Sequence, residues 1–286
     1  MHKFFFLCGC WKSGTHWVQN VLNLHPHIRM KGEYHFEHLQ EAMDSFTGLK
    51  WCVASHPRGR RVANAAFENL IRRVIYATAT RDRPEAIWLG DRTPRRLREL
   101  LPGAPTFWIV RDGRDILVSW AFHWLRIDAV PPAFIREPLT RWREEFRTDP
   151  DRFRDPNYGL LGNNRWVRRI AREWARFVLH DSEAYPRLVA SGTPVFKVVY
   201  EEMHRRPHEV AKEMYEFLGL DASHAEPLSR ETNTLPGFKS EDLTKALRKG
   251  QSGDWRNYFN DRIKRIFKEE AGEALILAGY EKDLNW

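Results

Sequence analysis

Three cysteines in 286 residues, Cys8, Cys10 and Cys52, are too few and too irregularly spaced for a disulfide framework or a zinc knuckle. They suit a reducing compartment, and a cytoplasmic protein without a bound metal is expected. No apolar run approaches the roughly 20 residues a membrane helix needs, and with the first strand starting close to Met1 no signal peptide is expected. Internal repeats, low-complexity tracts and Gly/Ser linkers are missing too, so the chain is expected to form one domain, 1–286. Acid is the minority charge: 46 Lys and Arg against 38 Asp and Glu leave +8. That balance suits an anionic ligand, and equally a nucleic acid or an acidic membrane surface. The basic residues do not gather in a tail; they recur as pairs on helix-like stretches, Arg72-Arg73, Arg95-Arg96 and Arg168-Arg169, where a solvated face explains them.

What is present is concentrated at the start. Phe4, Phe5, Phe6, Leu7 and Cys8 read as a parallel strand buried on both faces, and Thr15–Leu24 as a helix. Between them, Gly9 and Gly14 allow a turn sharp enough to aim backbone amides at an anion, while Lys12, Ser13 and Thr15 add a charge and two hydroxyls. A nucleotide-binding P-loop would carry its lysine directly after the second glycine. Here Thr15 holds that place and the lysine precedes the glycine by two residues. An ATP-dependent kinase therefore fits poorly. A basic nucleic-acid-binding module would explain the charge but not the loop.

The order Lys12-Ser13-Gly14-Thr15 resembles the 5′-phosphosulfate loop of sulfotransferases that use 3′-phosphoadenosine 5′-phosphosulfate (PAPS), and three further stretches resemble the same family in the same order. Trp108 to Asp115, continuing to Ser119, is similar to its 3′-phosphate segment. Val198 to Met203 with Phe217-Leu218-Gly219-Leu220 is similar to its YEdL strand and FLGL helix, and Arg248 to Phe259 to its RKGxxGDWxNxF stretch. Together they span residues 4 to 259. The resemblance implies a three-layer α/β sandwich, P-loop-like, with a central parallel sheet flanked by helices. It also implies sulfuryl transfer from PAPS, leaving adenosine 3′,5′-bisphosphate (PAP), to an acceptor hydroxyl or amine.

The residues bear this chemistry out on their own terms. A 3′-phosphate is a fixed dianion, and Arg111, Ser119, Arg248 and Lys249 offer a planar fork, a hydroxyl and point charges to meet it. Gly250 would let the backbone approach closely, and Trp17 or Tyr200 could face adenine, although Trp17 also suits a core position on the first helix. Lys12 stands where the family keeps the lysine that stabilises the leaving phosphate, and His16, next to Thr15, could touch the sulfonate or phosphate.

The proton acceptor is harder to read. The K-x-H-L-P histidine of small-molecule sulfotransferases is missing. Leu89-Gly90-Asp91-Arg92-Thr93-Pro94 resembles instead the E-K-[TS]-P stretch of glycan sulfotransferases, which points to Asp91 as base with Arg92 in the lysine's place. Asp91 could alternatively cap a helix beginning at Thr93-Pro94. His56, in Ala54-Ser55-His56-Pro57, is the rival base. The acceptor is not encoded in a motif: the Asp91 segment leans toward a glycan, RKGxxGDW toward small molecules, and the aromatic content would equally suit a lipid, phenol or alcohol.

Further along, a helix-rich stretch is expected over Arg61–Ala77, strands at Ile87–Leu89 and Phe107–Val110, and a helix over Arg114–Leu125. Residues 127–164, with five prolines and little periodicity, read as a long loop or lid or as disorder. Trp166, Ile170, Trp174, Phe177 and Val178 mark one helix face ahead of a strand Val195–Tyr200.

Overall fold

A computed structural model describes residues 2–51, 55–93, 95–225, 241–245 and 248–286. The chain divides into two compact units: 1–109 with 183–198 and 209–226, and 110–182 with 199–208 and 227–286.

The first unit is built on the sheet. Strand β1 (Lys3–Gly9) lies between β3 (Trp88–Arg92) and β4 (Thr106–Val110), with β2 (Ile28–Lys31) and β5 (Val195–Val199) outermost, giving the order β2-β3-β1-β4-β5. β1 pairs in parallel with β3 and β4, and β2 in parallel with β3. The continuous apolar run of β1 is what a strand covered on both sides requires. Side chains alternate between the faces. Phe6 and Leu89 pack with Phe36, Ile71 and Ile75 from helices α2 (Phe36–Gly48) and α3 (Pro57–Ala79). Phe5 turns to the other face, edge-on to Trp88 and Phe107. That face is covered by α1 (Thr15–Leu24), whose Val21 carbonyl accepts from Tyr215 Oη, 2.7 Å away. Gly90 completes the fit, because a Cβ there would come within 2.5 Å of the Phe5 ring.

The second unit is helical. It contains α4 (Gly113–Arg126), α5 (Arg136–Thr148), the single turn α6 (Gly159–Gly162), most of α7 (Asn164–Ala190), α8 (Tyr200–Arg205) and α10 (Asp261–Leu277), while α9 (Pro207–Phe217) lies almost wholly in the first. Trp174 on α7 is buried against Phe267 of α10 and Tyr280. Arg114 is buried between the rings of Trp255 and Trp286, with Asp112 and Glu281 neutralising it. The Asp115 carboxylate accepts from the backbone amides of Gly253 and Trp255 at 2.7 and 2.8 Å, which fixes the segment after Arg248-Lys249 to α4.

The stretch expected to be a loop is therefore a correction. Residues 136–148 form α5, and Ile135, Leu139, Trp142 and Phe146 are buried at a helical spacing of four, three and four. Pro138 is tolerated because it falls in the first turn, where amides lack intrahelical partners. Expected elements elsewhere are present with shifted ends, whereas β2, α2 and α10 were not expected. Among the described residues no helix is long and apolar enough to cross a membrane. Cys8 and Cys10 are buried, and Cys52 lies outside the described residues.

Gly113 tests the packing of the second unit, since a Cβ there would lie 2.2 Å from the Trp174 ring. Gly113→Ala is expected to lower the unfolding free energy by about 1–3 kcal/mol, the usual cost of overpacking, read from the urea midpoint.

Candidate active site

In the first unit the chain leaves β1 at Gly9, turns through Lys12 and Gly14 in the left-handed region (φ 63° and 102°), and enters α1 at Thr15. A lysine held at positive φ is uncommon and marks a locally strained loop. No side chain caps the first turn of α1. Its amides carry the positive end of the helix dipole, about half a charge. Ser13 Oγ is buried and has no hydrogen-bond partner among the described residues. An orphaned buried hydroxyl costs about 1–3 kcal/mol, which a bound anion would recover.

Several polar side chains gather beside this turn. Arg92, at the carboxyl end of β3, bonds Glu33 Oε1 through Nη1 at 2.6 Å, reaches Thr15 Oγ1 at 3.5 Å, and donates from Nε to Gln19 Oε1. Glu33 follows β2, so both residues sit at carboxyl ends of strands, where parallel sheets build their sites. His16 feels the same group: burial lowers its pKa first, Arg92 and Lys12 lower it further, and Glu33 opposes them. The His16 ring is thus biased toward its neutral form. Lys12, Thr15, His16, Arg92 and Glu33 form one cluster within this unit.

Asp91 lies on the opposite face of β3. It is buried beside Phe6, Cys8, Glu37 and Arg95, accepts from Thr93 Oγ1 at 2.9 Å, and has the Tyr34 amide 3.4 Å away. Burial pushes its pKa up to about 6. It does not cap a helix, since it lies within β3 and no helix is present in residues 95–100; Pro94 is outside the described residues. His56 is exposed just ahead of α3 and makes no side-chain cap. Trp17 is buried in the core on α1. His35, Glu37 and His38 bring three possible metal-ligand atoms within 4.8 Å, but Arg95 Nε already meets the Glu37 carboxylate at 2.8 Å.

The second unit holds the other expected binding residues. The Arg111 guanidinium stacks on the buried Tyr200 ring with 4.0 Å to its centroid and donates to the Gln251 carbonyl at 3.1 Å. Lys249 Nζ meets Asp254 Oδ1 at 2.6 Å, and Arg248 bonds both Asp254 and Glu241. Against burial, which pushes it up, these cations hold the Asp254 carboxyl below its usual range. Gly250 and Gly253 take positive φ, at 60° and 77°, so glycine serves the turn itself there. Ser119 is half-buried on α4. Arg126, two turns further along the same helix face, was not singled out in the sequence. Burial, and then the neighbouring Arg248, push its pKa down to about 10, and its Nη1 bonds the Leu243 carbonyl at 3.0 Å. Two guanidiniums thus stand close together, and of the two Arg248 is the one paired with Glu241 and Asp254.

Residues 3–278 match the sulfotransferase-domain family, and the chain belongs to it. Sulfuryl transfer is the activity that membership brings. The chain is 23% identical to rat (Rattus norvegicus) sulfotransferase 1C2 over 93% of its own length and 82% of that protein's. Its fold is similar to that of mouse sulfotransferase SULT7A1, solved with PAP, at a TM-score of 0.49 and 21% identity, covering 98% of this chain and 89% of that one. The sulfotransferase of Alicyclobacillus acidocaldarius gives 0.45 at 18% identity over 97% and 96% of the two chains.

The Asp91 environment makes a prediction on stability. Its folded-state pKa, about 6, exceeds the ordinary 3.8, so the native state binds this proton more tightly than the unfolded chain does. The stabilisation is complete below pH 3.8 and is lost as pH rises through 6, at a cost of about 3 kcal/mol by neutrality. Asp91→Asn should therefore unfold at higher urea than wild type at pH 7 and show a flatter stability profile between pH 4 and 6.

Proposed function

We propose that the chain moves the sulfuryl group of PAPS to a hydroxyl, or an amine, of an acceptor, with Glu33 as the residue that takes the acceptor proton. The observation that carries this reading is the cluster at the uncapped start of α1, where the buried Ser13 hydroxyl lacks a partner and Lys12, His16, Arg92 and Glu33 surround the turn. The bound donor supplies an activated sulfuryl group and a phosphate leaving group. The amides of α1, Ser13 and Thr15 bind the 5′ end of the donor, and Lys12 stabilises the charge that grows on the departing oxygen. Donors of this kind contribute about 3–4 kcal/mol each. Neutral His16 can donate a hydrogen bond there without adding charge. The Arg92 guanidinium holds the Glu33 carboxylate in one orientation, ready to accept a proton from the hydroxyl.

Asp91 is the acceptor that the sequence suggests, and its raised pKa would suit a base. Its side chain, however, shares a face with Phe6 and Leu89, away from Thr15 and Gln19. Glu33 shares its ion pair with a residue that touches Thr15. In the second unit, Arg111, Arg248 and Lys249 are the proposed partners of the 3′-phosphate, joined by Arg126 and by Ser119 on the same face of α4. Tyr200, stacked beneath Arg111, supports that guanidinium rather than offering its face to adenine.

Two measurements test this. Glu33→Gln should lower kcat at least 100-fold while leaving the affinity for PAP within a few-fold, and Asp91→Asn should keep turnover within about ten-fold. The reverse pattern would return the base to Asp91. In calorimetric titration, wild type should bind PAP and ignore Mg-ATP, and Lys249→Ala should weaken PAP binding about ten-fold or more, as loss of a charge-assisted contact does. Preference for ATP would overturn the donor assignment.

A further inference from the structure

The region joining α2 and α3 has a composition that the transfer reaction does not use. From Ser45 to Phe67 the sequence has no Asp or Glu, while the chain as a whole carries 38 in 286, so an average stretch of this length would hold about three. The same stretch contains Lys50, Arg58, Arg60 and Arg61, all exposed. Among them stand large apolar side chains that face solvent. Trp51 is 97% exposed, Val62 70%, Leu49 55% and Phe46 47%. Leu39, Ala42 and Phe46 lie along one exposed stripe of α2, and Val62, Ala66 and Leu70 along one of α3. Isolated exposed apolar residues are ordinary, but a tryptophan almost wholly in water, in a stretch that also exposes Phe46, Leu49 and Val62, calls for a partner.

The geometry points to the face of a lipid bilayer: we propose that the end of α2 and the start of α3, with Trp51 shortly after α2, dock on a membrane surface rich in anionic headgroups. Indole rings settle at the boundary between hydrocarbon and headgroups, with the apolar ring body on one side and the N–H on the wet side. Leu49, Phe46 and Val62 would dip into the acyl boundary, while Lys50, Arg58 and Arg61 meet phosphate and carboxylate headgroups. The absence of acids between Asp44 and Glu68 is the second half of the argument, because each carboxylate there would offset the attraction of one cation. Charge complementarity alone would suit a nucleic acid equally. The exposed Leu49, Phe46 and Val62 favour lipid, having no role against a phosphate backbone.

The test is co-sedimentation of the full chain with vesicles of phosphatidylcholine alone and of roughly three parts phosphatidylcholine to one of phosphatidylserine. We expect binding to the mixed vesicles only, reversed by raised salt. Trp51→Ser should cut it at least five-fold, and so should the charge reversal Arg58→Glu/Arg61→Glu, each cation near such a surface being worth about a five-fold change. These side chains are exposed, and unchanged circular dichroism of both variants verifies that the fold is intact. The proposal fails if the mixed vesicles do not bind, if both variants bind as wild type does, or if an oligonucleotide displaces the protein from the vesicles at equal charge.

Discussion

The guanidinium of Arg92 is the group on which the first unit's site depends. It leaves β3 toward α1, and in one side chain it joins the strand to Gln19 and Thr15 on the helix and to Glu33 beyond β2. Its position follows from the parallel register that sets Leu7 opposite it and Lys31 opposite Asp91. Because strand side chains alternate, a shift of one residue would exchange Arg92 with Asp91 and bury the guanidinium among Phe6 and Phe36. The buried aromatic and aliphatic residues on both faces forbid that shift, so the hydrophobic pattern of β3 and β1 determines which charged residue meets the turn into α1.

The turn itself is legible in the sequence because everything that makes it is local. Five apolar residues, two glycines five apart and a helix starting at Thr15 define a strand, a sharp bend and a bare helix start without reference to the rest of the chain. The RKGxxGDW stretch is legible for the same reason, and Asp254 shows what its acid does: it gathers Arg248 and Lys249 into one place. Glu33 is not legible in this way. It matters because β2, only four residues long, pairs beside β3, and nothing within Ile28–Lys31 announces that pairing. Which of Asp91 and Arg92 faces the turn is equally a property of register, which a single strand does not reveal. The helix α5 is a different case. Its spacing of Ile135, Leu139, Trp142 and Phe146 is obscured by prolines that flank the helix or fall in its first turn.

The two units divide the charge in different ways. In the first, cations and an acid stand around an uncapped helix start, and the field there is open to an anion. In the second, Arg114 is fully neutralised by Asp112 and Glu281 and sandwiched by tryptophans, which makes it part of the framework. Arg111 instead rests on an aromatic face, and Arg126 is pressed by Arg248. Burial of like charges so close together is costly unless something negative is held near them.

Asp254 and Glu241 are that negative charge as the structure stands, and their presence has a bearing on selectivity. If Arg248 and Lys249 receive the 3′-phosphate, the incoming group competes with carboxylates that are already bonded to the same nitrogens. A bare hydroxyl brings no charge and a monoanion only half of what the two carboxylates carry together, so both leave them in place, whereas a dianion matches them. The pair would then act as a charge threshold, separating nucleotides with a 3′-phosphate from the far more abundant ones that lack it.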